Sequence, residues 1–283
     1  MARDLRLRLT KEELRKLYLE EKRSLEDIAR LYGVSRVAVW KYCGAEQLTR
    51  RSRSEARLEA QKRGKVQQQY LQINENFFSK WSQKMAYVLG LLMTDGCLSR
   101  AKRGSYRLSL CLNDGELLQK VAKAMGSDHA VALSKHQEGL YIFIVGREKL
   151  TQALMRLGMT PRKSRNLEFP DVPGEYLGSF IRGVFDGDGC VFLDPNSRHY
   201  PLRTNFGSAS KNFIRELEAT LKALGLPERN IYAQPAKNGF FYSIKYGHKD
   251  SQKLFAILYK NAGNGLFLER KYRKFLAGLQ GGA

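Results

Sequence analysis

Two aspartates carry the chemistry this sequence can offer. Asp95 closes the run "AYVLGLLMTDGC", and Asp188 closes "GSFIRGVFDGDGC"; each follows an apolar stretch and precedes a glycine. A helix ending there leaves its last carbonyls unpaired at the negative end of its dipole, where a carboxylate is disfavoured. A lone Asp-Gly pair is most simply a polar turn. Two copies of one layout, 188 − 95 = 93 residues apart, ask for another reason. Carboxylate and carbonyl oxygens, completed by water, are the ligands of Mg²⁺. Two such sites side by side suit hydrolysis of a phosphodiester.

The acids meet only if the two apolar runs are helices that cross. Ala86 and Gly90 stand four residues apart on one run, as do Ser179 and Gly183 on the other. Small residues at that spacing let backbones approach closely. The predicted crossing is at Gly90 and Gly183. Around these helices each copy reads as α-β-β-α-β-β-α. Strand signals "CLSRAK" and "SYRLSLCLN" follow Asp95, and "CVFLD" and "LRTNFGS" follow Asp188. Helices "GELLQKVAKAMG" and "SKNFIRELEATLKALG" come next, then hairpins turning at Gly139 and at Lys237-Asn238-Gly239. "REKLTQALMRLG" and "DSQKLFAILYKN" close the copies.

The strands should have one wet face. Leu108, Leu110 and Leu112 alternate with Arg107, Ser109, Cys111 and Asn113. In the second copy Leu202, Thr204 and Phe206 match the buried set, and Arg203, Asn205 and Gly207 the exposed one. A face of Arg, Ser and Asn is what reading base edges requires. Arg100, Lys102 and Lys245 join that DNA-facing set.

Bulk composition agrees. The 283 residues allow two or three domains, and a net charge of +21 implies a polyanionic partner, with nucleic acid leading. No apolar run reaches the roughly 18 residues a membrane span needs, and the N-terminal stretch lacks the apolar core of a signal peptide. Cys43, Cys97, Cys111 and Cys190 form no C-x-x-C pair, which argues for free thiols in a reducing compartment over a zinc knuckle.

Residues 1–50 read as a small all-α domain. Thr10 and Glu13 form a capping box, a second helix starts at Ser24, the chain turns at Gly33, and a third helix starts at Ser35. Leu25, Ile28, Ala29, Leu31, Val34, Val37 and Trp40 are the expected inward set. The pattern resembles the helix-turn-helix of bacterial DNA-binding proteins, which implies a third helix in a major groove exposing Ser35, Arg36, Ala38 and Lys41. An ordinary three-helix bundle is the plainer alternative. Residues 51–80 are a basic linker, helical or lying along a backbone; residues 81–170 and 171–283 are the two repeats.

The two acidic segments, Val88 to Gly96 and Ile181 to Gly189, resemble the signature of the LAGLIDADG homing endonucleases in their single-chain, two-motif form. The resemblance covers about residues 81–283. It implies an α+β fold of two pseudo-symmetric αββαββα repeats whose sheets form a β-saddle over the DNA major groove, cutting both strands across the minor groove. It implies Asp95 and Asp188 as metal ligands, with the carbonyls of Thr94 and Gly187 as secondary ligands to two or three Mg²⁺ ions. It points to Lys163 in "MTPRKSRNLEFP" and Lys271 in "LFLERKYRKF" as lysines near the metals, stabilising charge or orienting water. It puts a polar residue after the second strand: Asn113 in one copy, but Ala209 flanked by Ser208 and Ser210 in the other. Met93 stands where the second motif has Asp186, a position expected to cap the helix and not to perform chemistry.

The expected function is site-specific double-strand cleavage by a monomer at a long asymmetric DNA target. The expected location is the prokaryotic cytoplasm at the nucleoid, or an organelle matrix if organelle-encoded. A DNA-binding regulator on the same scaffold and an intron RNA maturase are the alternatives. An intein is not expected, since the sequence starts with Met-Ala and no His-Asn pair ends it.

Overall fold

The structure is a computed structural model that describes residues 9–62, 71–101, 104–135, 137–197, 201–237, 239–263 and 265–280. The chain divides into two compact units, Met1–Tyr70 and Leu71–Ala283.

In the first unit α1 (Lys11–Arg15) runs into a π-helical turn, Lys16–Glu20, followed by α2 (Leu25–Leu31) and α3 (Arg36–Ala45). Thr10 with Glu13 and Ser24 with Asp27 form capping boxes, and Ser35 caps α3 by accepting the Ala38 N–H at 3.2 Å. Leu14, Leu17, Tyr18, Ile28, Ala29, Val39, Tyr42 and Cys43 make a separate small core. The expected inward set needs correction: Leu31, Val37 and Trp40 are exposed. The cause is helical period. With Val39 inward, Tyr42 and Cys43 follow at three and four residues, which turns Arg36, Val37, Trp40 and Lys41 outward. Ala38 is half-buried against the core and leaves the expected DNA-facing set. α4 (Arg53–Lys62) follows.

Packing of the second unit begins at Leu71, ahead of the expected boundary at residue 81, because Phe77 and Phe78 enter its core with their rings 5.0 Å apart. α5 (Gln83–Asp95) starts at the Ser82 cap and is buried from Met85 to Met93. Then come β1 (Gly96–Arg100), β2 (Tyr106–Leu112), α6 (Gly115–Ala124), β3 (Ala132–Leu133), β4 (Tyr141–Val145) and α7 (Glu148–Arg156). The second repeat has α8 (Leu177–Asp188), β5 (Cys190–Leu193), β6 (Leu202–Ser208), α9 (Lys211–Ala223), β7 (Tyr232–Ala236), β8 (Gly239–Tyr246) and α10 (His248–Tyr259). A further helix, α11 (Glu269–Gln280), follows.

Both sheets are antiparallel with one strand order, β1-β2-β4-β3 and β5-β6-β8-β7. This is the α+β, two-repeat saddle fold. Gly139 and Gly239 have φ of +71° and +126°, as their equivalent hairpin turns require, while Asn238 lies outside the described residues. The Leu108 and Leu110 face packs on the helices, as do Leu202, Thr204 and Phe206. Gly207 does not lie open on the other face as expected; it is covered by the Phe241 ring.

α5 and α8 cross in the middle of the unit. A Cβ on Gly90 would collide with the Phe180 carbonyl oxygen, and one on Gly183 with that of Tyr87. The second atoms met are backbone nitrogens, Val184 N at 2.9 Å and Leu91 N at 2.8 Å. The Ser179 hydroxyl adds a hydrogen bond across the crossing to Gln83 Oε1, 2.6 Å. No helix among the described residues is long and apolar enough to cross a membrane.

Candidate active site

The crossing brings the C-terminal ends of α5 and α8 together. A Cβ on Gly187 would run into the Thr94 hydroxyl and lie 3.0 Å from an Asp95 carboxylate oxygen. Asp95 is half-buried; Asp188 is more open to solvent. Loss of hydration lifts both carboxyls, and the Asp188 charge adds to the effect at Asp95, which is pushed up to about 6. Lys163 and Lys271 pull in the opposite direction at both.

Those lysines are nearly fully buried, at 6% and 5% exposure, and they face the helix ends. Lys163 Nζ donates to the carbonyls of Thr94 (3.0 Å) and Gly96 (2.6 Å). Lys271 Nζ donates to Phe185 (2.6 Å), Asp186 (2.8 Å), Gly189 (2.6 Å) and, more weakly, Gly187 (3.4 Å). Each ammonium thus satisfies carbonyls that a helix C-terminus leaves unpaired. Burial lowers both lysines, Lys271 to about 8. The Thr94 and Gly187 carbonyls named from the resemblance therefore already accept a lysine proton, and each keeps a second lone pair.

Asp186 has a larger part than helix capping. It is 3% exposed and accepts the Tyr87 hydroxyl (2.8 Å) and the Leu268 N–H (2.8 Å), so it ties α8 to α5 and to the segment before α11. Burial pushes it up to about 6. Arg182 beside it is wholly buried and donates to the carbonyls of Leu258 (2.6 Å) and Leu266 (3.0 Å).

A cavity of about 420 Å³ opens beside Asp95, lined by Asp95, Cys111, Asn113, Asp186, Gly187 and Arg270 among others. Asn113 is exposed there. In the second half Ser208 and Ser210 are buried: Ser208 accepts the Ser210 N–H, and Ser210 caps α9 and donates to the Leu167 carbonyl at 2.7 Å. Neither is a counterpart to Asn113. Arg270 is the residue that sequence reasoning passed over. It is exposed and also lines a second cavity, about 430 Å³, with Gly189, Cys190, Lys271 and Lys274. Its position next to Lys271 at the start of a basic helix was the available signal.

On the sheets, Arg107 and Lys245 are exposed and Ser109 and Asn205 half-buried, all on the face away from the helices. Arg203 shares that face but is held by Asp194 at 3.4 Å. Arg100 alternates onto the Leu98 side of β1, a correction to its expected place beside Arg107. Lys102 lies outside the described residues. The four cysteines are free, with Cys97 and Cys190 exposed at matching positions.

No group of three or more His, Cys, Asp or Glu gathers among the described residues. The protein donors near the acids are two carboxylates and helix-end carbonyls. That hard-oxygen set suits Mg²⁺, which keeps several of its own waters.

Two family models match the chain: the LAGLIDADG-like domain over residues 175–258 and the WhiA LAGLIDADG-like domain over residues 84–161. A probable translation initiation factor of Methanocaldococcus jannaschii is 27% identical over 195 residues, a match covering 66% of this chain and 14% of that protein. This chain therefore spans a small part of that relative's length. Among solved structures, mesophilic variants from the homing endonuclease I-DmoI are similar with a TM-score of 0.45 and 17% identity, covering 66% of this chain and 98% of theirs. The homing endonuclease I-WcaI bound to its DNA recognition sequence gives 0.46 and 14%, covering 71% and 90%. The LAGLIDADG meganuclease I-AabMI bound to uncleaved DNA gives 0.47 and 12%, covering 69% and 89%.

Proposed function

The chain belongs to the two-motif LAGLIDADG proteins, and from that premise we propose that it is a site-specific endonuclease that hydrolyses both strands of a long, asymmetric DNA duplex. The observation that carries this reading is the pairing of Asp95 and Asp188 at two touching helix ends. A binding scaffold gains nothing from two carboxylates at a phosphate surface, where they repel the ligand. Divalent ions would suit these acids, because their charge would offset the loss of hydration and, after it, the Asp188 repulsion that together lift Asp95. Asp95 and Asp188 would hold them, with the second lone pairs of the Thr94 and Gly187 carbonyls. Bound there, Mg²⁺ supplies Lewis-acid stabilisation of charge developing on the phosphate.

The chain's own groups do the rest. Lys163 and Lys271 hold the two helix ends in place and keep positive charge beneath the acids. Arg270, exposed between the two cavities, is placed to meet a phosphate oxygen. One chain carries both acids, so a monomer suffices. In the first unit α3 offers Arg36 and Lys41 to a groove, and Ser35 starts that helix. On this reading it is a helix-turn-helix that adds phosphate contacts and steepens the salt dependence of binding.

The test is incubation with Mg²⁺ and duplexes spanning the DNA that flanks the protein's own gene. A double-strand cut abolished by a chelator is expected. Tight binding with no cut in Mg²⁺ or Mn²⁺ would favour the second reading, a DNA-binding regulator, which the WhiA-type match over residues 84–161 supports.

A further inference from the structure

The two sheets carry different chemistry on the faces turned away from their helices. Cross-strand partners share a face. In the second sheet Phe192 pairs with Arg203, Lys245 with Asn205, Tyr232 with Ser243, and Phe241 with Gln234. One open face therefore holds three exposed aromatic rings: Phe192 (41%), Tyr232 (50%) and Phe241 (42%). In the first sheet, Ile144, opposite Ser109, is the only exposed large apolar residue on that face among the described residues.

Leaving three rings in water is unfavourable; Tyr232 and Phe241 lie on neighbouring strands at one edge of the sheet and Phe192 on the strand at the other edge, so the apolar groups are spread across the open face. The rings are also held in place. Phe241 lies over Gly207, where any Cβ would collide with it. The Lys245 ammonium stands 5.2 Å from the centre of the Tyr232 ring. Lys245, Asn205 and Gln234 are interleaved with the rings, so the occupant is anionic and offers polar edges as well as apolar groups. In a DNA major groove the apolar group on a base edge is the thymine methyl, and an amide side chain pairs with adenine.

Resting on the DNA reading above, we infer that the second sheet recognises an A·T-rich half-site, with Phe192, Tyr232 and Phe241 packed against thymine methyls and Asn205 and Gln234 on adenines. The first sheet reads its half without exposed aromatic rings, with Ile144 as the exposed large apolar side chain on that face among the described residues, and the target is asymmetric for this reason.

The full chain is used to select bound duplexes from a randomised pool, and thymines of the selected site are then replaced by deoxyuridine, one half at a time. Burial of one methyl corresponds to about fourfold in affinity. Removing each contacted methyl should weaken binding by about that factor in one half and leave the other unchanged. In the variant Phe192→Ala/Tyr232→Ala/Phe241→Ala, altered only at exposed positions, the deoxyuridine penalty should disappear. A selected, cleavable site with no deoxyuridine penalty, or a penalty that persists in the triple variant, overturns methyl reading and leaves the endonuclease intact. Selection of no duplex overturns both.

Discussion

The two repeats share a topology and an acid, yet their helix ends are supported differently. At the end of α5, Lys163 reaches two carbonyls from a short 3₁₀ turn that follows Arg162, itself at φ +58°. The sixth motif position there is Met93, a buried apolar residue. At the end of α8, Lys271 reaches four carbonyls from the first turn of α11 and stands 5.3 Å from the Phe185 ring centre. Asp186 and Arg182 bind the same helix to residues 258–268. The second acid therefore stands on an over-determined helix end and the first on a sparser one. The two halves share the acid at the helix end and differ in the groups that support it.

The two acids are the groups most alike in the two halves. If the proposed function holds, Asp95→Asn or Asp188→Asn should each abolish double-strand cleavage while leaving DNA binding intact or tighter, because each acid would hold metal but repel phosphate. Plasmid cleavage and gel-shift titration check this. Wild-type cutting by either variant would remove the acids from the chemistry.

Next come the two glycines, also equivalent by geometry. Gly90→Ala and Gly183→Ala both insert a methyl group against the backbone of the partner helix. Each should lower stability by about 1–3 kcal/mol or more, the usual cost of overpacking. The two losses should be similar in denaturant titration. An unchanged midpoint in either would mean the helices do not touch there.

The lysines should separate the halves. Lys271→Ala leaves more helix-end carbonyls unpaired than Lys163→Ala, and an unsatisfied buried polar group costs about 1–3 kcal/mol. Lys271→Ala should therefore lower the thermal midpoint more and slow cutting of one strand more than the other. Equal effects on both strands and both midpoints would mean the two helix ends are supported alike.

The smallest expected effect is on pH dependence. Asp95 and Asp186 are raised to about 6 from 3.8. Between those values the folded chain keeps protons that the unfolded chain releases, so metal-free stability should fall as pH rises through that window. Lys271 is lowered to about 8 from 10.5. Between those values the unfolded chain holds the extra proton, so stability should recover as pH rises. Thermal midpoints in chelator trace both limbs. Asp186→Asn should flatten the acid limb, and added Mg²⁺, if Asp95 and Asp188 hold it as proposed, should stabilise more at about pH 7.5 than at about pH 5, since binding needs them ionised.

Sequence alone determined what depends on local pattern. The two Asp-Gly helix ends, the small residues of the crossing, the alternating strands and the caps at Thr10, Ser24 and Ser35 are each written within a few consecutive residues. Such signals survive without knowledge of neighbours. Tertiary structure decided everything that depends on what lies opposite. Trp40 and Val37 looked like core until Val39, Tyr42 and Cys43 took the buried side of α3. Gly207 looked like a blank on a wet face until Phe241 came to lie over it. Asp186 looked like a cap until Tyr87, 99 residues earlier, and Leu268, 82 residues later, supplied its partners. A buried carboxylate is tolerated only where hydrogen-bond donors surround it, and those donors arrive from distant elements that no local spacing records.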